Sequence, residues 1–179
     1  MHETPEPSPW IRRFSAYSAG PVLDMACGSG RHTRMFLDLG MPVTAVDRDT
    51  SRLADLTDRG TLDIIETDLE APQDAWRPPP ETFRFVIVAN YLWRPLLEPL
   101  IAAVAPGGLL LYETFAQGNE RFGKPSNPDY LLAPGELLAA VAGKLDVVAY
   151  EQGEVATPRP AVVQRICAVN GEPEGRLLA

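Results

Sequence analysis

The chain has 179 residues, 45% of them hydrophobic, and 16 Lys and Arg stand against 24 Asp and Glu for a formal charge of −8 at pH 7. That length suits one domain with its own core. An acidic chain with no basic cluster is repelled by phosphate backbones and anionic lipid, so nucleic acid and membrane surfaces are poor partners. Cys27 and Cys167 make neither a disulfide framework nor a zinc pattern. The acidic, Pro-rich Met1–Pro9 lacks the order of a secretion signal, and Leu96–Tyr112 is too broken by Glu98, Pro99, Pro106, Gly107 and Gly108 to cross a bilayer as one helix. A cytoplasmic protein is expected.

Val22–Ala26 is the first predicted strand, followed by the turn Gly28-Ser29-Gly30 and a helix near His32–Leu39, with Gly40 at its end. Val43–Val46 is the second strand and ends at Asp47; Asp49 or Thr50 can cap a helix running to about Asp58. Leu62–Ile65 is the third strand and leads into Glu66-Thr67-Asp68. The apolar run Phe85–Ala89 predicts a buried central strand. Leu96, Leu97, Leu100, Ile101 and Val104 then share a helix face. Leu109–Tyr112 is a fifth strand after Pro106-Gly107-Gly108, and Gln117–Tyr130 is a long loop. Pro134 suits the first position of a helix with Leu137, Leu138 and Val141 on its apolar face, ending at Gly143. Leu145–Tyr150 and Val162–Val169 are strands joined by too short a segment for a parallel crossover, so they form an antiparallel hairpin. The chain thus reads as β-α five times and then a hairpin, an α/β doubly wound, mostly parallel sheet. Ligands of such sheets sit beyond the carboxyl ends of the strands.

The run Leu23-Asp24-Met25-Ala26-Cys27-Gly28-Ser29-Gly30-Arg31 takes a buried strand through a glycine turn into a helix start. Glycine there leaves room for a ligand against the backbone, and the free N–H groups of the helix start favour an anionic group. Asp47 at the end of the second strand, with Arg48 beside it, is placed to take ribose hydroxyls, and Asp68 at the end of the third to reach an adenine edge. The dinucleotide pattern G-x-G-x-x-G fails: from Gly28 the third glycine is Thr33, and from Ala26 it is Arg31. Asp24 before the turn suits an amino group better than a phosphate. Arg31 either pairs with a ligand carboxylate or is a solvated surface charge, while His32 and Arg34 are expected at the surface.

These motifs resemble those of class I S-adenosylmethionine-dependent methyltransferases: Leu23–Gly30, then Val46-Asp47, Asp68-Leu69, Asn90 and Pro106-Gly107-Gly108 fall where that family places them. The resemblance runs from about Trp10 to Asn170 and implies a Rossmann-like, seven-stranded sheet closed by an antiparallel C-terminal hairpin. Pro134-Gly135-Glu136-Leu137 before the hairpin is similar to the small tellurite-resistance-type members. One domain over residues 1–179 is implied, with a core at about 20–170 and a cap at 1–19. By position, the resemblance gives Asp24, Ala26, Cys27, Gly28 and Gly30 the methionine end of S-adenosyl-L-methionine. Asp47 takes the ribose, Asp68 the adenine amino group and Leu69 the ring, and Asn90 borders the methyl group. Ala26 stands where the family often has glycine.

Such a cofactor carries an activated methyl group, so the implied chemistry is methyl transfer to a small-molecule acceptor by orientation alone. No metal cluster is visible, His2 and His32 are the only histidines, and no catalytic base is assigned. The acceptor is expected beneath Trp10–Tyr17, Asn90–Arg94 and the loop Phe115–Tyr130, a lid by its length. Trp10, Tyr91, Trp93, Phe122 and Tyr130 are candidate walls, and Arg121 or Lys124 candidate anion contacts. Trp10 and Trp93 also suit plain core covering. Two alternatives are a nicotinamide-dependent oxidoreductase on the same kind of sheet and a protein that binds the cofactor without catalysis.

Overall fold

Val22–Met25 (β1) is buried at all four residues, as a strand must be when both faces of a parallel sheet are covered. In the computed structural model, which describes residues 5–17, 19–71 and 75–171, β1 pairs in parallel with Val43–Asp47 (β2), and β2 with Leu62–Glu66 (β3). On its other side β1 pairs in parallel with Phe83–Ala89 (β4), and β4 with Val104–Phe115 (β5). Asp146–Val155 (β6) and Ala161–Val169 (β7) are antiparallel to each other, and β7 is antiparallel to β5. The seven-stranded order is β3-β2-β1-β4-β5-β7-β6, the doubly wound sheet and terminal hairpin expected from the sequence. His2 and its neighbours in Met1–Thr4 lie outside the described residues.

The helices are Pro9–Phe14 (α1), Arg31–Asp38 (α2), Leu97–Ala102 (α3) and Glu136–Val141 (α4). Alternate strand residues feed two cores. On one face Leu23, Met25, Val86, Val88, Leu110 and Tyr112 meet Leu96, Leu100 and Leu137. On the other Val22, Phe85, Ile87, Leu109 and Leu111 meet Trp10, Phe14, Phe36 and Leu53. No helix of the described residues is long and apolar enough to cross a membrane.

Several local expectations are corrected. The helix expected to run to Asp58 is a 3-10 turn over Ser51–Leu56; Asp49 caps it through the Ser51 N–H (3.1 Å), while the Thr50 hydroxyl donates to Glu66 instead (2.6 Å). No helix joins β3 to β4 among the described residues, so the β-α alternation is interrupted there. β5 is longer than the expected Leu109–Tyr112 and runs through Gly107-Gly108 with an irregular register. α4 begins at Glu136, not Pro134, because Gly135 is left-handed (φ 72°), and Leu138 is exposed.

His32 is buried, contrary to its expected surface position. Its Nε2 accepts the Ser8 backbone N–H at 3.1 Å, which ties the N-terminal segment to α2 and requires a neutral ring. Burial pushes its pKa down to about 3, helped by Arg31. With an unfolded value near 6.5, this contact is fully present above pH 6.5 and is lost as pH falls toward 3. Relative to a His32→Gln variant, wild-type unfolding free energy is therefore expected to drop with acidification by up to about 1.4 kcal/mol per pH unit in that window. Parallel urea titrations from pH 7 to 4 measure the gap; a constant gap would contradict the neutral-ring assignment.

Candidate functional site

The turn after β1 reverses the chain through three left-handed residues, Ala26 (φ 53°), Gly28 (φ 55°) and Gly30 (φ 73°). Non-glycine residues occupy this region at a cost of roughly 1–2 kcal/mol, so Ala26 is strained, and the turn is held by hydrogen bonds. The Cys27 N–H donates to the Val46 carbonyl (3.1 Å) and the Gly28 N–H to Asp47 Oδ2 (2.8 Å). The two glycines serve different ends. A Cβ on Gly30 would strike the Leu53 side chain, whereas one on Gly28 would meet no atom within 4 Å. Gly30 is thus needed for packing, and Gly28 faces open space.

Beyond the turn lies a cleft of about 410 Å³ lined by Ala26, Asp47, Arg48, Asp68, Leu69, Glu70, Asn90 and Tyr91. It sits at the ends of β1, β2, β3 and β4, across the point where strand order reverses, as expected for open α/β sheets. Asp47 Oδ1 accepts the Asp49 N–H (3.1 Å) and Asp68 Oδ1 the Glu70 N–H (2.9 Å); each carboxylate retains lone pairs for a ligand. Leu69 is a buried apolar wall. Asn90 is a second strained residue (φ 59°), held by its N–H to the Glu113 carbonyl (2.9 Å).

Of the sequence-derived cofactor residues, Ala26, Asp47, Arg48, Asp68, Leu69 and Asn90 line this cleft, and Asp24, Cys27, Gly28, Gly30 and Arg31 do not. Asp24 is buried, and its Oδ2 accepts both the Thr33 N–H (2.9 Å) and the Thr33 hydroxyl (2.6 Å). It therefore caps α2 from the strand side. Burial raises its pKa to about 6 against the pull of the two Thr33 bonds. The Cys27 side chain belongs to the core beside Phe36 and Leu53; burial first, then Asp24 and Asp47, keep its thiol protonated. Arg31 donates to the Glu6 carbonyl (3.3 Å) and so helps dock the N-terminal segment. Arg34 pairs with Asp55 (2.6 Å).

A second cleft of about 270 Å³ adjoins the first and shares Arg48, Glu70, Asn90 and Tyr91 with it; Leu92, Thr114, Phe115, Pro125 and Tyr130 complete it. Tyr91 and Tyr130 were expected as walls. The other candidates lie elsewhere. Trp10 is 3% exposed, its ring N–H donating to the Ile166 carbonyl (3.3 Å). Trp93 packs on the core of one sheet face. Arg121 stacks on Phe122 and pairs with Glu154 (2.6 Å); neither it nor Phe122 nor Lys124 lines either of these two clefts. Glu70 and Thr114 are additions to the expected site, whereas Leu92, Phe115 and Pro125 belong to segments expected over the acceptor without being singled out. Glu70, two positions after Asp68, is legible as part of the same strand-end loop; Thr114 requires knowing that β5 runs past Tyr112.

The wall around Tyr130 is anchored. Arg94 makes two bonds to the Glu136 carboxylate (2.7 and 3.0 Å) and donates to the carbonyls of Asp129 (2.7 Å) and Leu131 (3.0 Å). The buried Asn119 side chain donates to the Pro125 carbonyl (2.9 Å) and accepts the Val162 N–H (3.2 Å).

Residues 22–108 match the family described as a methyltransferase domain. That segment is just under half of the chain. The match agrees with the methyltransferase reading of the motifs, and the nicotinamide alternative gains no support from it. A trans-aconitate 2-methyltransferase of Sinorhizobium medicae is 36% identical over 98 residues, covering 51% of this chain and 37% of that protein. The match thus spans little more than a third of the length of the curated relative. TehB from Haemophilus influenzae superposes with a TM-score of 0.69 at 18% identity, covering 90% of this chain and 61% of TehB. A 1,6-didemethyltoxoflavin-N1-methyltransferase from Burkholderia thailandensis superposes at 0.66 with 19% identity, covering 92% and 79%. These likenesses establish the fold.

The division between the glycines is testable by denaturation. Gly30→Ala is expected to lose more unfolding free energy than Gly28→Ala, whose only cost is its left-handed backbone, about 1–2 kcal/mol. Equal losses would show that the Leu53 contact does not matter. Arg94→Ala is expected to open the Asp129–Leu131 segment to limited proteolysis at temperatures where the wild type resists; unchanged cleavage would show that other contacts hold this wall.

Proposed function

We propose that this chain binds S-adenosyl-L-methionine in the larger cleft and transfers its methyl group to a small molecule held in the smaller one, in the cytoplasm, with residues 1–179 acting as one domain. The observation that carries this reading is the wall common to both clefts, Arg48, Glu70, Asn90 and Tyr91, which brings two ligands edge to edge. The residues present fit the cofactor. The space over Gly28 is free of protein atoms within 4 Å of a Cβ, as an approaching ligand requires. The donor set of two carboxylates beside an apolar residue suits a nucleoside: Asp47 for ribose hydroxyls, Asp68 for an exocyclic amino group, Leu69 for the ring. In this reading the Ala26–Gly30 turn holds the amino-acid end, and Asp24 contributes by fixing the turn to α2.

Bound there, S-adenosylmethionine supplies a methyl group already activated by its positive sulfur. The protein's part is to orient the acceptor behind it and to keep water out, an effect worth roughly 7–11 kcal/mol. Asn90 and Tyr91, at the junction of the two spaces, are placed to set that approach. The relatives named for trans-aconitate and for 1,6-didemethyltoxoflavin act on small molecules by those names, which supports a small acceptor here.

Asp47→Ala removes both a ligand contact and the partner of the Gly28 N–H. Since a hydrogen bond to a charged group contributes about 1.5–3 kcal/mol, affinity for S-adenosylhomocysteine is expected to fall about 10- to 100-fold by titration calorimetry. Unchanged affinity would remove Asp47 from the site, and no heat with the wild-type protein would end the reading.

A further inference from the structure

The proposed function leaves the acceptor's chemical class open, and the second cleft bears on it directly. Its wall carries one guanidinium, Arg48, and one carboxylate, Glu70, and aromatic rings from Tyr91, Phe115 and Tyr130. The adjoining cleft adds Asp47 and Asp68. The nearby Arg77 is directed elsewhere in part, donating to the Trp76 carbonyl (3.0 Å). Of the two cations expected to attract an anion, Arg121 is paired with Glu154 and Lys124 lines neither cleft, while the Arg159 guanidinium lies over the Phe115 ring at 5.5 Å. The residues lining the two clefts thus set one guanidinium against three carboxylates, and Arg159 beside Phe115 does not turn that balance positive, so a tricarboxylate would meet uncompensated like charge. Flat, apolar walls with a few placed polar groups instead suit a neutral ring.

Glu70 adds the chemistry. It borders both clefts, and the Tyr91 hydroxyl donates to its Oε1 at 3.3 Å. That bond fixes one carboxylate oxygen and leaves lone pairs of the group available. Tyr91 is a donor and not a base, since burial and the adjacent Glu70 hold its phenol protonated.

Resting on the methyl-transfer reading, we infer that the acceptor is a small, uncharged aromatic compound bearing a hydroxyl or ring N–H, and that Glu70 is the catalytic base that receives its proton. As the acceptor oxygen or nitrogen forms its bond to the methyl carbon, the carbon–sulfur bond breaks and its electron pair returns to sulfur. The acceptor's proton passes to a Glu70 carboxylate oxygen. The products are the methylated ring, neutral at the acceptor atom, and S-adenosylhomocysteine. Tyr91 is a positioning residue that orients the Glu70 carboxylate, and Tyr130 and Phe115 form the walls around the ring.

The test uses the full chain with saturating S-adenosylhomocysteine. Catechol, 2-naphthol and indole serve as neutral aromatic probes and trans-aconitate as the polyanionic control. At least one aromatic probe is expected to bind saturably by calorimetry, and trans-aconitate is expected not to bind. With S-adenosylmethionine and the best-bound probe, both saturating, Glu70→Gln is expected to lower kcat by about 100-fold or more, the usual range for loss of a general base. Tyr91→Phe, which spares the carboxylate, is expected to have a smaller effect on kcat. Binding of trans-aconitate with no aromatic probe bound, or a wild-type rate in Glu70→Gln, would overturn the inference. S-adenosylhomocysteine binding separates the two levels: if it binds and every aromatic probe fails, only the acceptor class falls, whereas failure of S-adenosylhomocysteine itself removes the reading beneath it.

Discussion

The hydrogen bond from the Gly28 N–H to Asp47 Oδ2 joins the turn after β1 to the end of β2, and the site depends on that closure. A chain leaving a buried strand and entering a helix within five residues has to spend backbone strain, here at Ala26. The strain is tolerated because the turn's N–H groups find fixed acceptors on the neighbouring strand. The same carboxylate that ties the turn down also lines the larger cleft. Anything that moves Asp47 therefore moves both the floor of the cleft and one of its polar groups.

Behind the turn, a set of buried polar contacts keeps this geometry rigid. Asp24 holds the first turn of α2 through Thr33, and His32 holds the N-terminal segment through Ser8. Gly30 lets Leu53 of the following segment press against the turn. None of these groups lines either of the two clefts described, yet they decide where Ala26 and Gly28 sit. Residues of the glycine motif thus divide into those that shape the site from behind and those that face it. The distinction depends on side-chain direction, which motif spacing does not carry.

Strand positions and topology were legible because parallel strands buried on both faces leave unmistakable apolar runs, Phe85–Ala89 above all. The short connection between β6 and β7 likewise declared the hairpin. Helix starts were less legible. Thr50 is a good capping residue by type, but Glu66 on the adjacent strand takes its hydroxyl; Gly135 in a left-handed conformation defers α4 past Pro134. At the site, strand-end acids were correctly placed at the cleft, since strand ends fix where a backbone arrives. Side-chain direction was less legible: Arg31, Trp10 and Trp93, each read with a structural alternative, and His32, expected at the surface, are claimed by tertiary partners. Glu70 was passed over because its partner, Tyr91, comes from a different strand end.

The position of β7 between β5 and β6 also constrains the order in which the sheet can be completed. Both its neighbours precede it in the chain. Until residues 161–169 leave the ribosome, β5 presents an unpaired outer edge and β6 has nothing to pair with. The nascent chain consequently passes through a stage in which an apolar strand edge is open to association with other chains, and shielding by a chaperone is most valuable in that interval.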